Sequence, residues 1–207
     1  MKHPATRRLY DYWDTLRGAR PAPERSEVEP SQIRGILGDT FILEAVNSAT
    51  YRYRLAGTRL CALHCRELKG RNLLRGWRDD DHEAVATLLA AVSEDAAAAI
   101  LGVTGHTERE HTIAMEMLFL PLHVAGEGCS RILGSCAPLE SPYWAGMHPI
   151  LSQSVKSVRL LWPDERPVFL QGGSRNRGLP FDEVGLPGVI GAGRQVGHLT
   201  VFEGGKQ

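Results

Sequence analysis

The run TIAMEMLFLPLH at residues 112–123 limits the options of this chain more than any other segment. It is too short to cross a bilayer as a helix, which takes about 20 apolar residues. Its Thr, Ile, Phe and Leu content favours a strand, yet polar and apolar residues alternate only weakly along it. A strand that is apolar on both faces has to be covered on both faces. Glu116 interrupts the run, and a carboxylate in that setting needs partners, because an unpaired charge in an apolar interior is strongly unfavourable.

The segments around it supply a sheet. TFILEAV (40–46) and YRYRLAG (51–57) flank Asn47-Ser48-Ala49 and read as a hairpin. In the second strand Tyr51, Tyr53 and Leu55 share one face, with Arg52 and Arg54 on the other. Arg54, like Glu116, sits in a strand otherwise suited to burial. Gly57 marks where the chain leaves the sheet, through a special backbone angle or a close approach. Residues 59–76 are short helical pieces punctuated by Gly70 and Gly76. Asp79, Asp80 and Asp81 then precede a helix over 81–99, one as N-cap and the others at the positive end of its dipole. Val85, Leu88, Leu89 and Val92 form its buried face. Strands follow at 100–109, 112–123 and 130–139. The expected fold over 39–140 is α+β, a five-stranded antiparallel sheet with helices on one face.

The flanks are of different character. Leu9, Tyr12, Trp13 and Leu16 make an apolar stripe on a helix over 6–17 that stops at Gly18. A Pro-rich linker and a short helix, SQIRGIL with Ile33, Ile36 and Leu37 inward, complete the segment 1–38. Tyr10, Tyr12 and Trp13 concentrate aromatic area that either packs on the chain's own sheet or meets a second copy. Residues 141–207 are expected to be a largely irregular C-terminal extension. It holds a short helix at 150–162, a Gly- and Pro-rich stretch, and a terminal LTVF that can dock on a sheet edge.

Composition excludes several functions. Basic and acidic residues balance at 24 each, which removes the electrostatic footprint of a nucleic-acid or anionic-membrane binder. Arg52, Arg54 and Arg59 beside Tyr51 and Tyr53 mimic an aromatic-basic platform, but the two residue types fall on opposite faces. No apolar signal core and no membrane-length run is present, so a cytoplasmic protein with reduced thiols is expected. Cys61-Ala-Leu-His64-Cys65 gathers two thiols and an imidazole, but zinc needs further ligands, and Cys129 and Cys136 take opposite facings on a regular strand. The order also differs from the covalent haem signature, so haem through His64 is disfavoured. No GxSxG, HExxH or phosphate-binding loop occurs, and neither a metal nor catalysis is expected.

The element order of hairpin, short helices, long helix and three strands resembles a PAS domain. LYDYWDTLRG, ERSEVEP, FILE, YRYRLAGTRL, REL, MEMLFLPL and RILGS, spread over residues 9–136, resemble a PAS subfamily known chiefly from alphaproteobacteria, and HLTVFEGG extends the likeness. The resemblance implies strand order 2-1-5-4-3 and a sensory or regulatory role. It also implies a homodimer through the N-terminal helix, with Leu9, Tyr12, Trp13 and Leu16 as its contact residues. Flavin-binding photosensory members carry an Asn-Cys-Arg-Phe-Leu-Gln run. Here LCALHCRELKG keeps only the Cys65-Arg66 echo, which disfavours flavin. A core cavity between the sheet and helices would be lined by Leu60, Leu63, Trp77, Leu89, Met115, Met117 and Phe119, with Arg54, His64 and Glu116 as polar candidates. The expected function is ligand binding relayed through the flanks to an unidentified signalling protein. The alternatives are a ligand-free dimeric scaffold and, more remotely, a haem sensor.

Overall fold

Two apolar clusters, one on each side of a single sheet, organise the chain. The computed structural model describes residues 1–163 and the backbone of 194–196 and 199–201. The sheet contains β1 (Thr40–Asn47), β2 (Thr50–Ala56), β3 (Ala98–Thr107), β4 (Thr112–Val124), β5 (Gly128–Pro138) and β6 (Ile150–Leu161). Their spatial order is β2-β1-β5-β4-β3-β6, with every neighbouring pair antiparallel. The first five strands follow the expected order 2-1-5-4-3.

β6 is the difference. Residues 150–162 read as a helix, and 150–161 are instead a strand that makes the sheet six-stranded. The ladder with β3 slips between Gly102 and Val103 and again between His106 and Thr107. These bulges leave Leu151 and Lys156 without partners in the register. Ile150, Gln153, Val155, Val158 and Leu160 thus share a face at spacings of three and two, which imitates a helical stripe. The sheet consequently runs past the boundary expected at 140.

β4 explains the two clusters. Ile113, Met115, Met117 and Phe119 point to one side, and Leu118, Leu120 and Leu122 to the other, all essentially buried. On the first side lie α2 (Thr58–Leu63), a 3-10 turn at Leu73–Gly76 and α3 (Asp79–Glu94). On the other lie α1 (Pro4–Arg17) and a kinked 3-10 segment, Pro30–Asp39. Of the two arrangements open to the aromatic stripe, the structure has packing on the chain's own sheet. Leu9 and Trp13 are buried there, and the Trp13 indole donates to the Pro121 carbonyl at 2.8 Å. Tyr12 and Leu16 are half-buried, and the Tyr12 hydroxyl accepts from the Glu29 amide at 2.7 Å. The α3 cap also differs from expectation. Arg78 occupies the cap position, and all three aspartates fall within the first turn, near the positive end of the dipole.

Beyond β6, β7 (Arg194–Val196) pairs with β8 (Leu199–Val201), and β8 lies beside β6, consistent with the expected docking of the terminal strand. The Gly- and Pro-rich stretch and Phe202 lie outside the described residues.

Gly57 closes the hairpin onto its neighbours. Its backbone angle is ordinary, with φ −70°, and its amide donates to the Thr40 carbonyl at 2.8 Å. A Cβ at this position would collide with the backbone of Leu37 and Gly38. The constraint is therefore close approach rather than a special angle. Gly57→Val should cost about 3 kcal/mol or more, because the obstruction is main chain and cannot rotate away. Thermal unfolding checks this, and an unchanged midpoint would refute it.

Candidate functional site

The seven apolar candidates are all in the inner cluster, none more than 7% exposed. Phe119 meets Phe41 at 5.6 Å between ring centroids, and Phe41 meets Tyr53 edge-on at 5.7 Å. Leu60, Leu63, Trp77, Leu89, Met115, Met117 and Phe119 pack against one another as core and do not line the open cleft described next.

A cleft of about 590 Å³ opens between the two edges of the sheet. Thr50, Arg52 and Tyr53 come from β2, and Leu151 and Gln153 from β6, the opposite edge. The connection from His64 to Gly76 lies between them. Hydrogen bonds fix it to β2: Tyr53 donates to the Arg71 carbonyl at 3.0 Å, and Gly70 donates to the Tyr53 carbonyl at 2.7 Å. The Asn72 side chain accepts from Tyr51 N at 3.0 Å and caps Leu74 N at 3.3 Å. Others fix it to β6. His64 Nδ1–H donates to the Ile150 carbonyl at 3.1 Å, and Arg78 N donates to the Gln153 carbonyl at 3.0 Å. Asp81 Oδ2 accepts from Val155 N at 2.9 Å.

The lining is chemically one-sided. Arg52, Arg66, Arg71 and Arg75 are among the lining residues, and among the described residues no Asp or Glu is. Gln153 is 5% exposed and its Oε1 has no partner. His64 is equally buried. Burial holds its imidazole below the ordinary value, the bond to Ile150 opposes this, and the Arg66 charge lowers it further. Such a set can orient an anion; it contains no pairing of nucleophile and base.

Of the polar candidates, only His64 lines the cleft. Arg54 is exposed, 3.5 Å from Glu44, so its strand position is solvated rather than buried. Glu116 is buried and holds the start of α1. Its Oε2 accepts from Lys2 N at 2.7 Å and its Oε1 from His3 N at 3.0 Å. The four cysteines are free and dispersed. Cys65 is exposed, with Sγ donating to the Gly146 carbonyl at 3.3 Å, while burial pushes the Cys136 thiol up to about 12. Among the described residues no three His, Cys, Asp or Glu side chains gather as a metal site, and no helix is long and apolar enough to cross a membrane.

Sequence reasoning named Arg52 and Arg66 only in readings it set aside, and missed Arg71, Arg75 and Gln153. A local signal existed: residues 52–78 hold eight basic side chains and one carboxylate, Glu67.

Residues 1–137 match the PAS_5 family model, described as a PAS domain. The chain belongs to this sensory domain family. The match runs from α1 to the end of β5, so β6 lies beyond it. Solved structures of similar shape include the dark-state LOV domain of Aureochrome1, a blue-light photoreceptor. It is 13% identical with TM-score 0.41, covering 56% of this chain and 84% of that one. The LOV protein of Rhodobacter sphaeroides is 14% identical with TM-score 0.40, covering 57% and 73%. The PAS domain of an HTR-like protein from Haloarcula marismortui is 21% identical with TM-score 0.39, covering 52% and 95%. Likenesses this loose do not assign flavin or any other cofactor to this chain. No curated protein matches it.

Replacing Glu116 by Ala should cost about 1–3 kcal/mol, since two donors in a half-buried setting lose their acceptor. Amide exchange in the first turn of α1 should rise with it, and unchanged exchange there would refute the anchoring role. For His64, unfolding frees an imidazole that takes a proton near its ordinary pH of about 6.5. As pH falls through that value the unfolded chain binds a proton the folded chain refuses, so stability declines. Burial shifts His106 in the same direction. Denaturant titrations from about pH 7 to about pH 5.5 should therefore show a shallower decline for His64→Asn than for the parent. Equal slopes would remove His64 as a source.

Proposed function

We propose that this chain is a cytoplasmic, non-catalytic PAS regulatory protein that binds a small ligand between its sheet edges. Occupancy is relayed through the flanking segments to a partner protein. One observation carries the reading: residues that line the cleft also hold β6. His64 and Gln153 both line the cleft; His64 donates to the Ile150 carbonyl, and the Gln153 carbonyl accepts from Arg78. A ligand touching either side chain changes the attachment energy of the strand that leads into the C-terminal segment. Such a switch works only if the ligand prefers one state of β6 over the other.

A ligand-free scaffold is the second reading, favoured by the burial of all seven apolar candidates within one core. Self-association through α1 would have Tyr12 and Leu16 available, since Leu9 and Trp13 already serve the chain's own sheet.

Native mass spectrometry and hydrogen exchange separate these readings. Freshly purified protein should carry a bound small molecule, and its removal by unfolding and refolding should raise exchange across Ile150–Leu161 severalfold. Protein at its bare mass, with β6 exchange unmoved by the small-molecule fraction of a cell extract, would favour the scaffold. A Soret absorbance band would point instead to haem at His64.

A further inference from the structure

We propose that the cleft takes a small organic phosphate, held by the guanidinium groups of Arg52, Arg66, Arg71 and Arg75. This rests on the ligand-binding reading above and names the ligand class for the same site.

Charge is the first support. Four exposed arginines line one cleft with no Asp or Glu among its described lining residues. Nearby Arg54 and Arg59 are paired, with Glu44 and Asp39. The cleft arginines have no such ion pair among the described residues. Like charges gathered in this way repel, and an anion between them removes the repulsion. The Arg71 Nε donates to the Glu67 carbonyl at 2.9 Å, which orients that guanidinium while leaving its outer nitrogens free. Guanidinium forks match phosphate oxygens in bidentate geometry, and a diphosphate concentrates several negative charges on one compact group. A single carboxylate would leave most of the positive charge uncompensated.

Buried polar atoms are the second support. Gln153 lines the cleft, is nine-tenths buried and has an unpartnered Oε1. Its Oε1 is enclosed by protein, so the amide meets a ligand only by turning, which then offers the oxygen or the NH₂ to a ligand hydroxyl or a phosphoryl oxygen. Neutral His64 spends Nδ1–H on Ile150 and keeps a lone pair at Nε2.

Size and shape are the third. A volume of about 590 Å³ lies within the range of small-molecule sites. Leu68, Leu73 and exposed Leu151 give the cleft an apolar wall, suited to the organic body of a phosphate ester. Leu151 and Gln153 belong to β6, outside the family match, whereas the four arginines lie within it.

The test is isothermal titration of the full chain with sodium pyrophosphate, adenosine diphosphate and citrate at equal ionic strength. Saturable one-to-one binding of pyrophosphate is expected, tighter for adenosine diphosphate. Arg66→Ala combined with Arg71→Ala should weaken it at least tenfold, as should Arg75→Glu. Arg8→Ala, on α1 across the sheet, should leave it unchanged. Circular dichroism confirms that each variant is folded. No saturable heat with pyrophosphate, equal affinity in the double variant, or tighter citrate binding would overturn the proposal. Exchange across β6 in the same samples separates the two readings. Bound pyrophosphate with β6 unmoved keeps the anion site and rejects the relay. A non-anionic co-purified molecule that moves β6 keeps the relay and rejects the anion.

Discussion

β4 has no face to give to water, and the rest of the molecule answers that fact. Its inner residues need α2 and α3, and its outer residues need α1. The aromatic stripe of α1 is thus a structural cover before it is anything else. Burying side chains such as Leu9 and Trp13 contributes about 1.5–3 kcal/mol each. An exposed ion pair such as Arg54–Glu44 contributes about 0–1 kcal/mol. The apolar term decides where α1 goes. Glu116 then fits without penalty: on the outer face of a buried strand it would be stranded, except that the start of the helix covering it brings two main-chain amides within reach.

The second constraint concerns edges. An unpaired strand edge is a template for unwanted pairing. At β2 the edge is covered by residues 70–72, and at β6 it is neighboured by β8. The cleft lies between these two edges, which places polar main chain, arginines and a buried amide around one opening while the apolar core stays closed behind it.

Much of this architecture was legible in the sequence. The hairpin, the three later strands and the α1 stripe announce themselves through residue type and spacing, and Gly57 through its place at the strand end. β6 was not legible, because its bulges convert a two-residue period into threes and twos. Arg54 is solvated because the outer face of an edge strand reaches solvent, one of the readings its place on the face opposite Tyr51 and Tyr53 left open. The partners of Glu116 have no signature at all, being backbone amides more than a hundred residues away. The cleft has little signature because a chain with zero overall charge conceals a strongly basic stretch, and because Leu151 and Gln153 in its wall come from a strand whose spacing imitates a helix.

The paired irregularities in β6 have a mechanical corollary. A regular ribbon can creep along its neighbour in steps that preserve the pairing of many rungs. On β6 even a two-residue slide, which keeps every facing on a regular ribbon, would carry Lys156 into the place of Val158 on the apolar side. Creep is thereby opposed, and the two bulges serve as detents that fix where β6 sits along β3.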